Sequence, residues 1–295
     1  AIGGGASIPV LQLWLIWRVF KAEDAESRRR ALRWLFVGLA GFIFLLYVPV
    51  VMRPWLMGTA PFRWWLEYLS VSYAYRGGEP LPNRQYLYLM MPHGLYPFSG
   101  ACAGLTPMKE VFQRMRIASA NVAFSVPFVR QLMGWIGCIG ADKASLQKAL
   151  KGGDSVCLFP GGIAEMVRTD ANMERIILKS RKGFARTALQ QGVPIVPVYV
   201  FGQSILWSHL NLGPWVERLS RWLRVSIMLP YGRFGLLVPK KRPLLYAIGE
   251  PIHCDAAGGD PSDAAVDALH AAVIAAVKEL YDFYKHTYGW QGRQL

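Results

Sequence analysis

The chain has 295 residues, of which 53% are hydrophobic and 18% charged, and its formal net charge is +14 at pH 7. Its 11 Trp, 13 Tyr and 14 Phe exclude intrinsic disorder, which requires few aromatic residues, and the ordinary α/β pattern after residue 80 excludes a polytopic transporter. The excess of Lys and Arg favours anionic partners, namely nucleic acid, anionic lipid head groups or a phosphorylated substrate.

The first 75 residues are predicted to form a membrane-associated N-terminal segment, with apolar stretches at 8–20 and 34–52 and an aromatic-rich limb at 55–75. The stretch 34–52 carries no charge and approaches the ~20 residues that cross a bilayer; the alternative is a buried core helix. The preceding arginine-rich residues 21–33 are expected in the cytosol by the positive-inside rule. The sequence leaves open a membrane hairpin or a single pass.

Residues 76–295 are predicted to form an α/β domain that faces the cytosol. Short apolar runs predict strands at Gln85–Met91, Ser155–Phe159, Val193–Phe201, Ser226–Leu229 and Leu244–Ile248. Helical patterns occur at Pro107–Arg116, Lys143–Lys151, Lys179–Gln191 and in a long final helix capped by Asp260-Pro261 and closed near Gly289. Their alternation indicates a mostly parallel or mixed sheet flanked by helices.

A histidine follows the first of these strands, in Met91-Pro92-His93-Gly94. The end of a strand is where an α/β sheet exposes reactive groups, and histidine is the side chain best suited to proton transfer at neutral pH. The alternative is a loop histidine with a hydrogen-bonding role only. No GxSxG, GxxxxGK[ST] or strand-following GxGxxG motif competes with it.

Two further segments have the composition of a binding site. In the turn 159–165 (FPGGIAE), two glycines allow the backbone to approach a ligand, and Glu165 follows in apolar company; the alternative is a tight turn with a capping glutamate. In 179–186 (KSRKGFAR), the basic side chains beside Gly183 suit a phosphate-bearing ligand. The alternative there is a solvated basic helix face.

Together these motifs resemble the type 2 diacylglycerol acyltransferase family, which includes monoacylglycerol and wax-alcohol acyltransferases. The resemblance covers about residues 65–290 and is most specific in 181–203 (RKGFARTALQQGVPIVPVYVFGQ). The residues 124–131 and 142–159 resemble plant and algal members more than animal ones. The resemblance implies a lysophospholipid-acyltransferase-like mixed sheet, since the two groups of enzymes are loosely related.

The chain departs from these relatives at three places. Met91 stands where the family often has His or Glu before the Pro-His pair. The HxxxxD motif of the lysophospholipid enzymes is absent, since Phe98 occupies the fifth position after His93. Their FPEGTR motif is replaced by FPGGIA, so the arginine that would pair with an acceptor phosphate is missing, which favours a neutral acceptor.

The resemblance implies transfer of a fatty acyl group from acyl-CoA to diacylglycerol, with no metal and no cofactor beyond acyl-CoA as co-substrate. His93 would be the general base, and Glu165 would orient it or hold its imidazolium. Residues expected around the acyl group and the oxyanion are Pro92, Gly94, Gly161 and Gly162. Residues expected to bind acyl-CoA are Lys179, Arg181, Lys182, Gly183 and Arg186.

The expected location is the endoplasmic reticulum membrane and lipid droplets, with the bilayer and a second copy of the chain as partners. One alternative is an acyltransferase that uses monoacylglycerol or a long-chain alcohol, giving a wax ester. A second, of a different class, is a non-catalytic lipid-droplet membrane protein. Nucleic-acid binding is disfavoured because no RRM, helix-turn-helix or zinc signature is present.

Overall fold

The computed structural model describes residues 13–14, 16–22, 24–105, 108–112, 114–162, 165, 174–210, 213, 215, 218, 229–255 and 259–295. The strands in chain order are β1 (Ser72–Tyr75), β2 (Leu87–Met91), β3 (Met115–Ser119), β4 (Cys138–Gly140), β5 (Ser155–Leu158), β6 (Ile195–Phe201), β7 (Ser208–Leu210), β8 (Leu229–Tyr231) and β9 (Leu245–Ile248). The α-helices are α1 (Ala25–Tyr47), α2 (Ala60–Tyr68), α3 (Phe98–Ala103), α4 (Met108–Val111), α5 (Pro127–Trp135), α6 (Lys143–Lys151), α7 (Gly183–Gln191) and α8 (Asp263–Tyr284).

The main sheet has seven strands in the order β1-β9-β6-β2-β5-β3-β4. Neighbouring strands are parallel except at the β6–β9 pair, which is antiparallel, so the predicted mixed sheet flanked by helices is confirmed. The central strands β2 and β6 are buried along their whole length, as apolar runs covered on both faces should be. The adjacent parallel strands β6, β2 and β5 therefore end at the same edge of the sheet.

Helices cover the two faces of this sheet. One face packs against apolar side chains from α2, α3 and α4, among them Leu66, Cys102 and Met108. The other face packs against α6, α7 and α8, with Phe184 and Val273 at its centre. The apolar stripe predicted for the last helix is confirmed, since Val266, Leu269, Val273, Val277, Leu280 and Tyr284 are all buried.

The helix predicted at Pro107–Arg116 is wrong in its second half. Helix α4 ends at Val111, and strand β3 begins at Met115 between β5 and β4. Arg114 has a positive φ of 48°, which breaks the helical path, and Arg116 pairs with Asp154 at 2.8 Å beside the neighbouring strand β5. Pairing with the parallel strands β5 and β4 on either side therefore outweighs the local helical pattern of these residues.

Two helices begin later than predicted. Helix α7 starts at Gly183 with Lys182 as its N-cap, so Lys179 lies in a turn outside the helix. Helix α8 starts at Asp263, because the Ser262 side chain accepts the hydrogen bond from the Ala265 amide at 3.2 Å. The predicted cap Asp260 instead accepts hydrogen bonds from Gln190 and Arg186.

The strand predicted at Ser226–Leu229 lies mostly outside the described residues. Its last residue, Leu229, begins strand β8, which pairs antiparallel with β7 in a separate two-stranded sheet. This small sheet stands beside the main one rather than extending it.

The N-terminal part of the chain contributes to the main domain. Residues 72–75, predicted as the end of the membrane-associated segment, form the edge strand β1, paired with β9. Met57, Leu66 and Leu69 from the aromatic limb are buried in the core. These residues of the predicted N-terminal segment therefore pack with the sheet, and the domain boundary at 75 stays a prediction.

Helix α1 combines the arginine-rich residues and most of the apolar run 34–52 in one helix that ends at Tyr47. In the part of the chain that the structure describes, we find no helix with the length and apolar character needed to cross a bilayer. Many apolar side chains of α1 are exposed, among them Trp34, Phe36, Phe44 and Tyr47. The following turn is held to α5, where Arg130 and Gln131 donate to the Val48 carbonyl at 3.0 and 3.1 Å.

Candidate active site

His93 lies in the loop that follows β2, at the edge where three parallel strands end. Its Nδ1 lies 2.8 Å from the carbonyl oxygen of Gly94, an acceptor, so Nδ1 carries the proton and donates it. This bond selects the neutral tautomer whose Nε2 holds a free lone pair. The ring of Phe159, after β5, packs edge-to-face on the imidazole with 5.7 Å between centroids. Burial lowers the pKa of His93 and favours the neutral ring, although the bond to Gly94 opposes this shift.

Gln203, which follows β6, holds the His93 loop from the other side. Its buried side-chain amide donates to the carbonyl oxygens of His93, at 3.1 Å, and of Tyr96, and its oxygen accepts from the Ser99 amide at 3.0 Å. Gly94 has a φ of +62°, and a Cβ there would lie 3.0 Å from the Gln203 side chain. Sequence reasoning assigned no role to Gln203; the available signal was a polar residue at the end of a wholly apolar strand.

Glu165 reaches His93 through the backbone and not through the ring. One carboxylate oxygen accepts from the His93 amide at 2.6 Å, and the other accepts from the Ile177 amide at 2.9 Å. Burial raises the pKa of this carboxyl, while the two amide bonds and the Arg181 charge act in the opposite direction. Glu165 therefore fixes the His93 loop through its backbone. These bonds to backbone amides differ from the expected contact between Glu165 and the imidazole.

The two glycines of the turn 159–165 have separate roles. A Cβ on Gly161 would lie 2.1 Å from the Glu165 carboxyl carbon, so only glycine lets that carboxylate pass. Gly162 has a φ of +52°, and its amide donates to the Phe159 carbonyl at 3.3 Å, inside the turn. Among the described residues, no hydrogen-bond acceptor is found for the backbone amides of Gly94 and Gly161.

A second buried carboxylate, Glu174, lies behind this edge and was missed by sequence reasoning. It accepts hydrogen bonds from the Tyr199 hydroxyl at 2.8 Å and the Ser204 hydroxyl at 2.6 Å, and pairs with Arg293 at 3.1 Å. Burial raises the pKa of this carboxyl, although its three partners lower it. Since Tyr199 is in register with Met91, and Ser204 follows Gln203, Glu174 fixes β6 and the loop that supports His93.

A cavity of about 490 Å³ opens next to the turn 159–165. Phe159 contributes to its wall and also packs on His93, so this ring is the contact between the cavity wall and the imidazole, and His93 itself is not part of the wall. The basic side chains in its wall are Lys143, Arg181, Lys182 and Arg186. Of the residues expected to bind acyl-CoA, Arg181, Lys182, Gly183 and Arg186 therefore meet at one cavity, and exposed Lys179 lies two residues before Arg181.

These four cations are not equally available to a ligand. Lys182 pairs with Asp267 at 2.5 Å, and Arg186 pairs with Asp260 at 3.1 Å and with Asp263, all on or beside α8. Arg181 and Lys143 have no ion pair with a described carboxylate. Lys143, at the start of α6, was not predicted as a site residue, because it lies far from the basic run in sequence and joins it only through the fold.

Comparison with known proteins identifies the family. The family described as diacylglycerol acyltransferase matches residues 32–294. The chain is 30% identical to human acyl-CoA wax alcohol acyltransferase 2, over 70% of this chain and 68% of the relative. It is 30% identical to diacylglycerol O-acyltransferase 2 of Danio rerio, over 71% of this chain and 63% of the relative. It is 26% identical to diacylglycerol O-acyltransferase 2A of Umbelopsis ramanniana, over 96% of this chain and 80% of the relative.

Among solved structures, the lysophosphatidic acid acyltransferase PlsC of Thermotoga maritima matches with 15% identity and a TM-score of 0.43, covering 90% of this chain and 88% of that chain. The resemblance read from the Pro-His-Gly, FPGGxxE and RKGF motifs is confirmed by the family match, which spans all three motifs and the strands that carry them. The chain belongs to the diacylglycerol acyltransferase family.

Proposed function

We propose that this protein is an acyl-CoA-dependent O-acyltransferase that transfers a fatty acyl group to diacylglycerol and so makes triacylglycerol. Relatives from Danio rerio and Umbelopsis ramanniana named as diacylglycerol O-acyltransferases support this substrate. The observation that carries the chemistry is the half-buried His93, whose Nδ1–H is committed to the Gly94 carbonyl so that Nε2 is a base. No other described residue combines this tautomer with a place at the carboxyl edge of the sheet.

In this mechanism, Nε2 of His93 accepts the proton of the acceptor hydroxyl as its oxygen attacks the thioester carbonyl carbon. The carbonyl oxygen becomes an oxyanion, for which the amides of Gly94 and Gly161 are the donors. The tetrahedral intermediate collapses by breaking the carbon–sulfur bond, and CoA leaves as a thiolate that takes the proton back from the imidazolium. General-base assistance of this kind contributes ~10²–10⁴ in rate.

The cavity beside Phe159 is the proposed site for the CoA part of acyl-CoA. Arg181 and Lys143 are placed to meet its phosphates, with Lys179 adjacent, while Lys182 and Arg186 shape the wall through their bonds to α8. The Gly183 position, which begins α7, lets the backbone approach a phosphate closely. Pro92, buried beside His93, is proposed to line the acyl group.

The acceptor is proposed to reach the site from a membrane. The exposed aromatic and aliphatic side chains of α1, together with its arginines, are suited to burial at the surface of a bilayer. We place the protein at the endoplasmic reticulum membrane and on lipid droplets, with the sheet domain on the cytosolic side. A neutral lipid acceptor agrees with the missing arginine in FPGGIA.

A second acceptor class is a long-chain alcohol, because a wax alcohol acyltransferase is among the 30% identical relatives. An assay of the purified protein in detergent distinguishes these acceptors. It supplies radiolabelled oleoyl-CoA with diacylglycerol, monoacylglycerol or hexadecanol in turn. We expect triacylglycerol as the main product. A wax ester or diacylglycerol as the main product would replace the proposed acceptor and leave the chemistry intact.

The base assignment is tested with His93→Ala in the same assay, and exposed His286→Ala is the matched control. We expect a loss of ~10²–10⁴ for His93→Ala and full activity for His286→Ala. Retained activity in His93→Ala would make His93 structural. If wild type acylates none of the acceptors, the non-catalytic lipid-droplet protein becomes the better reading.

A further inference from the structure

A loop remote in sequence from the apolar N-terminal region exposes an unusual amount of apolar surface. The insertion loop, defined here as residues 232–238, follows β8 and carries Phe234, Leu236 and Leu237, with exposed fractions of 80%, 59% and 44%. All three side chains are exposed in the part of the chain that the structure describes, and the proposed acyl transfer does not use them. Contiguous exposed apolar side chains of this kind mark an interaction surface.

The backbone of this loop holds its apolar tip in place. The Gly232 amide donates to the Leu236 carbonyl, and the Arg233 amide donates to the Val238 carbonyl, each at 2.8 Å. Phe234 adopts a left-handed backbone with φ 58° and ψ 24°. A bulky residue in this conformation is strained, and such strain is retained where the surrounding structure enforces it, commonly at functional sites. Phe234 therefore accepts backbone strain while its ring points into solvent.

The charges around the tip indicate the partner. Residues 229–242 contain Arg233, Lys240, Lys241 and Arg242 and no Asp or Glu. The Arg233 guanidinium lies 4.7 Å from the centre of the Phe234 ring, and Lys241 and Arg242 are exposed. Apolar side chains at a tip with cations at its base match a membrane surface with anionic head groups above hydrocarbon.

The loop is joined to the aromatic-rich N-terminal region. The Tyr68 hydroxyl at the end of α2 donates to the Pro239 carbonyl at 2.9 Å, and Arg233 lies 5.9 Å from the Tyr68 ring. Trp64, one helical turn before Tyr68, is 64% exposed. The tip is thus continuous with a surface that already displays a large aromatic side chain.

We propose that the insertion loop is a second membrane contact, in which Phe234, Leu236 and Leu237 enter the bilayer and Arg233, Lys241 and Arg242 contact anionic head groups. This inference goes beyond the proposed acyl transfer and does not rest on it. It makes the sheet domain dock on the membrane through a fixed loop in addition to the N-terminal helix. Such docking would hold the carboxyl edge of the sheet in one orientation to the bilayer.

The test places an environment-sensitive fluorophore on the loop in the full-length chain. The variant Leu237→Cys, in a Cys254→Ser background, is labelled with NBD and reconstituted in phosphatidylcholine vesicles with and without phosphatidylserine. Cys254 is replaced because it is only partly buried and would compete for the label. The other cysteines, Cys102, Cys138 and Cys157, are buried. The matched control is Phe283→Cys, since Phe283 is also exposed and stacked under an arginine, with Arg76 at 4.1 Å.

We expect the label at 237 to shift its emission to the blue and to be quenched by lipids spin-labelled on the acyl chain, more strongly with phosphatidylserine. The label at 283 should keep the emission it has in water. Adding Phe234→Asp should abolish the shift at 237. The double change Lys241→Gln and Arg242→Gln should lower the equilibrium constant for insertion about fivefold per cation on the anionic vesicles.

A label at 237 that behaves like the label at 283 on both vesicles would overturn the proposal and leave a protein partner as the occupant of this surface. Thermal unfolding of each variant in detergent, expected to match wild type, guards against misfolding. The fluorescence reports insertion whether or not the preparation makes triacylglycerol, so a failure here is distinct from a failure of the proposed activity.

Discussion

The loop that carries His93 and the basic turn that lines the cavity are held by two different kinds of contact. The His93 loop is fixed by two buried side chains: the His93 amide donates to Glu165, and the His93 carbonyl accepts from Gln203. The basic turn is fixed by exposed ion pairs from Lys182 and Arg186 to α8. Loss of a buried partner leaves a polar group without water or a substitute, which costs about 1–3 kcal/mol, whereas exposed pairs contribute about 0–1 kcal/mol. The proposed base His93 is therefore held firmly, and the wall proposed to bind CoA is left adjustable.

The largest effect is expected from a change at Glu165, which holds the His93 loop. The change Glu165→Gln leaves only one accepting oxygen for the two amides of His93 and Ile177, so one buried N–H loses its partner. We expect kcat to fall by about 10², because displacement of a catalytic group by about 1 Å has that effect, with an unchanged KM for acyl-CoA. The unfolding free energy should drop by about 1–3 kcal/mol. The control is Glu279→Gln, an exposed partner of Arg76; equal loss in both variants would contradict the positioning role.

The pH profile tests the His93 side of the comparison. A general base must be neutral, so kcat/KM is expected to fall tenfold per pH unit below the pKa of His93. Because burial lowers that pKa, the acid limb should have its midpoint below the ordinary value of about 6.5. The change Phe159→Ser opens the imidazole to water and should move the limb upward. A wild-type midpoint above 6.5 would show that a different group controls the limb.

A comparison of two arginines in the cavity wall tests which of them is available to bind acyl-CoA. Arg181 has no ion pair with a described carboxylate, so Arg181→Gln should remove the charged bond proposed to form with a CoA phosphate. The KM for acyl-CoA should then rise about tenfold, at the low end of the effect of a charge-assisted hydrogen bond. Arg186 already bonds to Asp260 and Asp263, so Arg186→Gln should raise that KM less. Steady-state assays at fixed diacylglycerol concentration measure both values. A larger rise for Arg186→Gln would reverse the assignment.

The smallest effect is expected at the exposed pair of Lys182 and Asp267, whose side chains are 52% and 55% exposed. The change Asp267→Asn should alter the unfolding free energy by less than about 1 kcal/mol, and less still in high salt. Urea unfolding at low and high salt measures this. A loss of several kcal/mol would mean that the basic turn is held as firmly as the His93 loop.

The places of His93 and Glu165 after buried strands, and of the basic run before helix α7, could be predicted from local patterns, whereas the roles of these residues stay predictions. What local patterns did not reveal was the support for these groups. Gln203 lies far from His93 in sequence and meets its loop only because β6 lies beside β2. Glu174 does not contact that loop and supports it through its bonds to Tyr199 and Ser204. Glu165 was expected to contact the imidazole ring, yet its carboxylate accepts from the His93 backbone amide. The turn brings the carboxylate there by passing it over Gly161, which has no Cβ in its way.

The sequence by itself determined the elements whose signals are local: the α/β class, the buried strands β2, β5 and β6, helix α6 and the apolar stripe of α8. The tertiary structure alone decided which segments became strands between neighbours, as at Met115–Ser119, and where helices α7 and α8 began. It also brought Lys143 to the basic turn and Tyr68 to the insertion loop. Helix and strand periodicity act over a few residues, whereas these outcomes depend on hydrogen bonds and packing between segments distant in sequence.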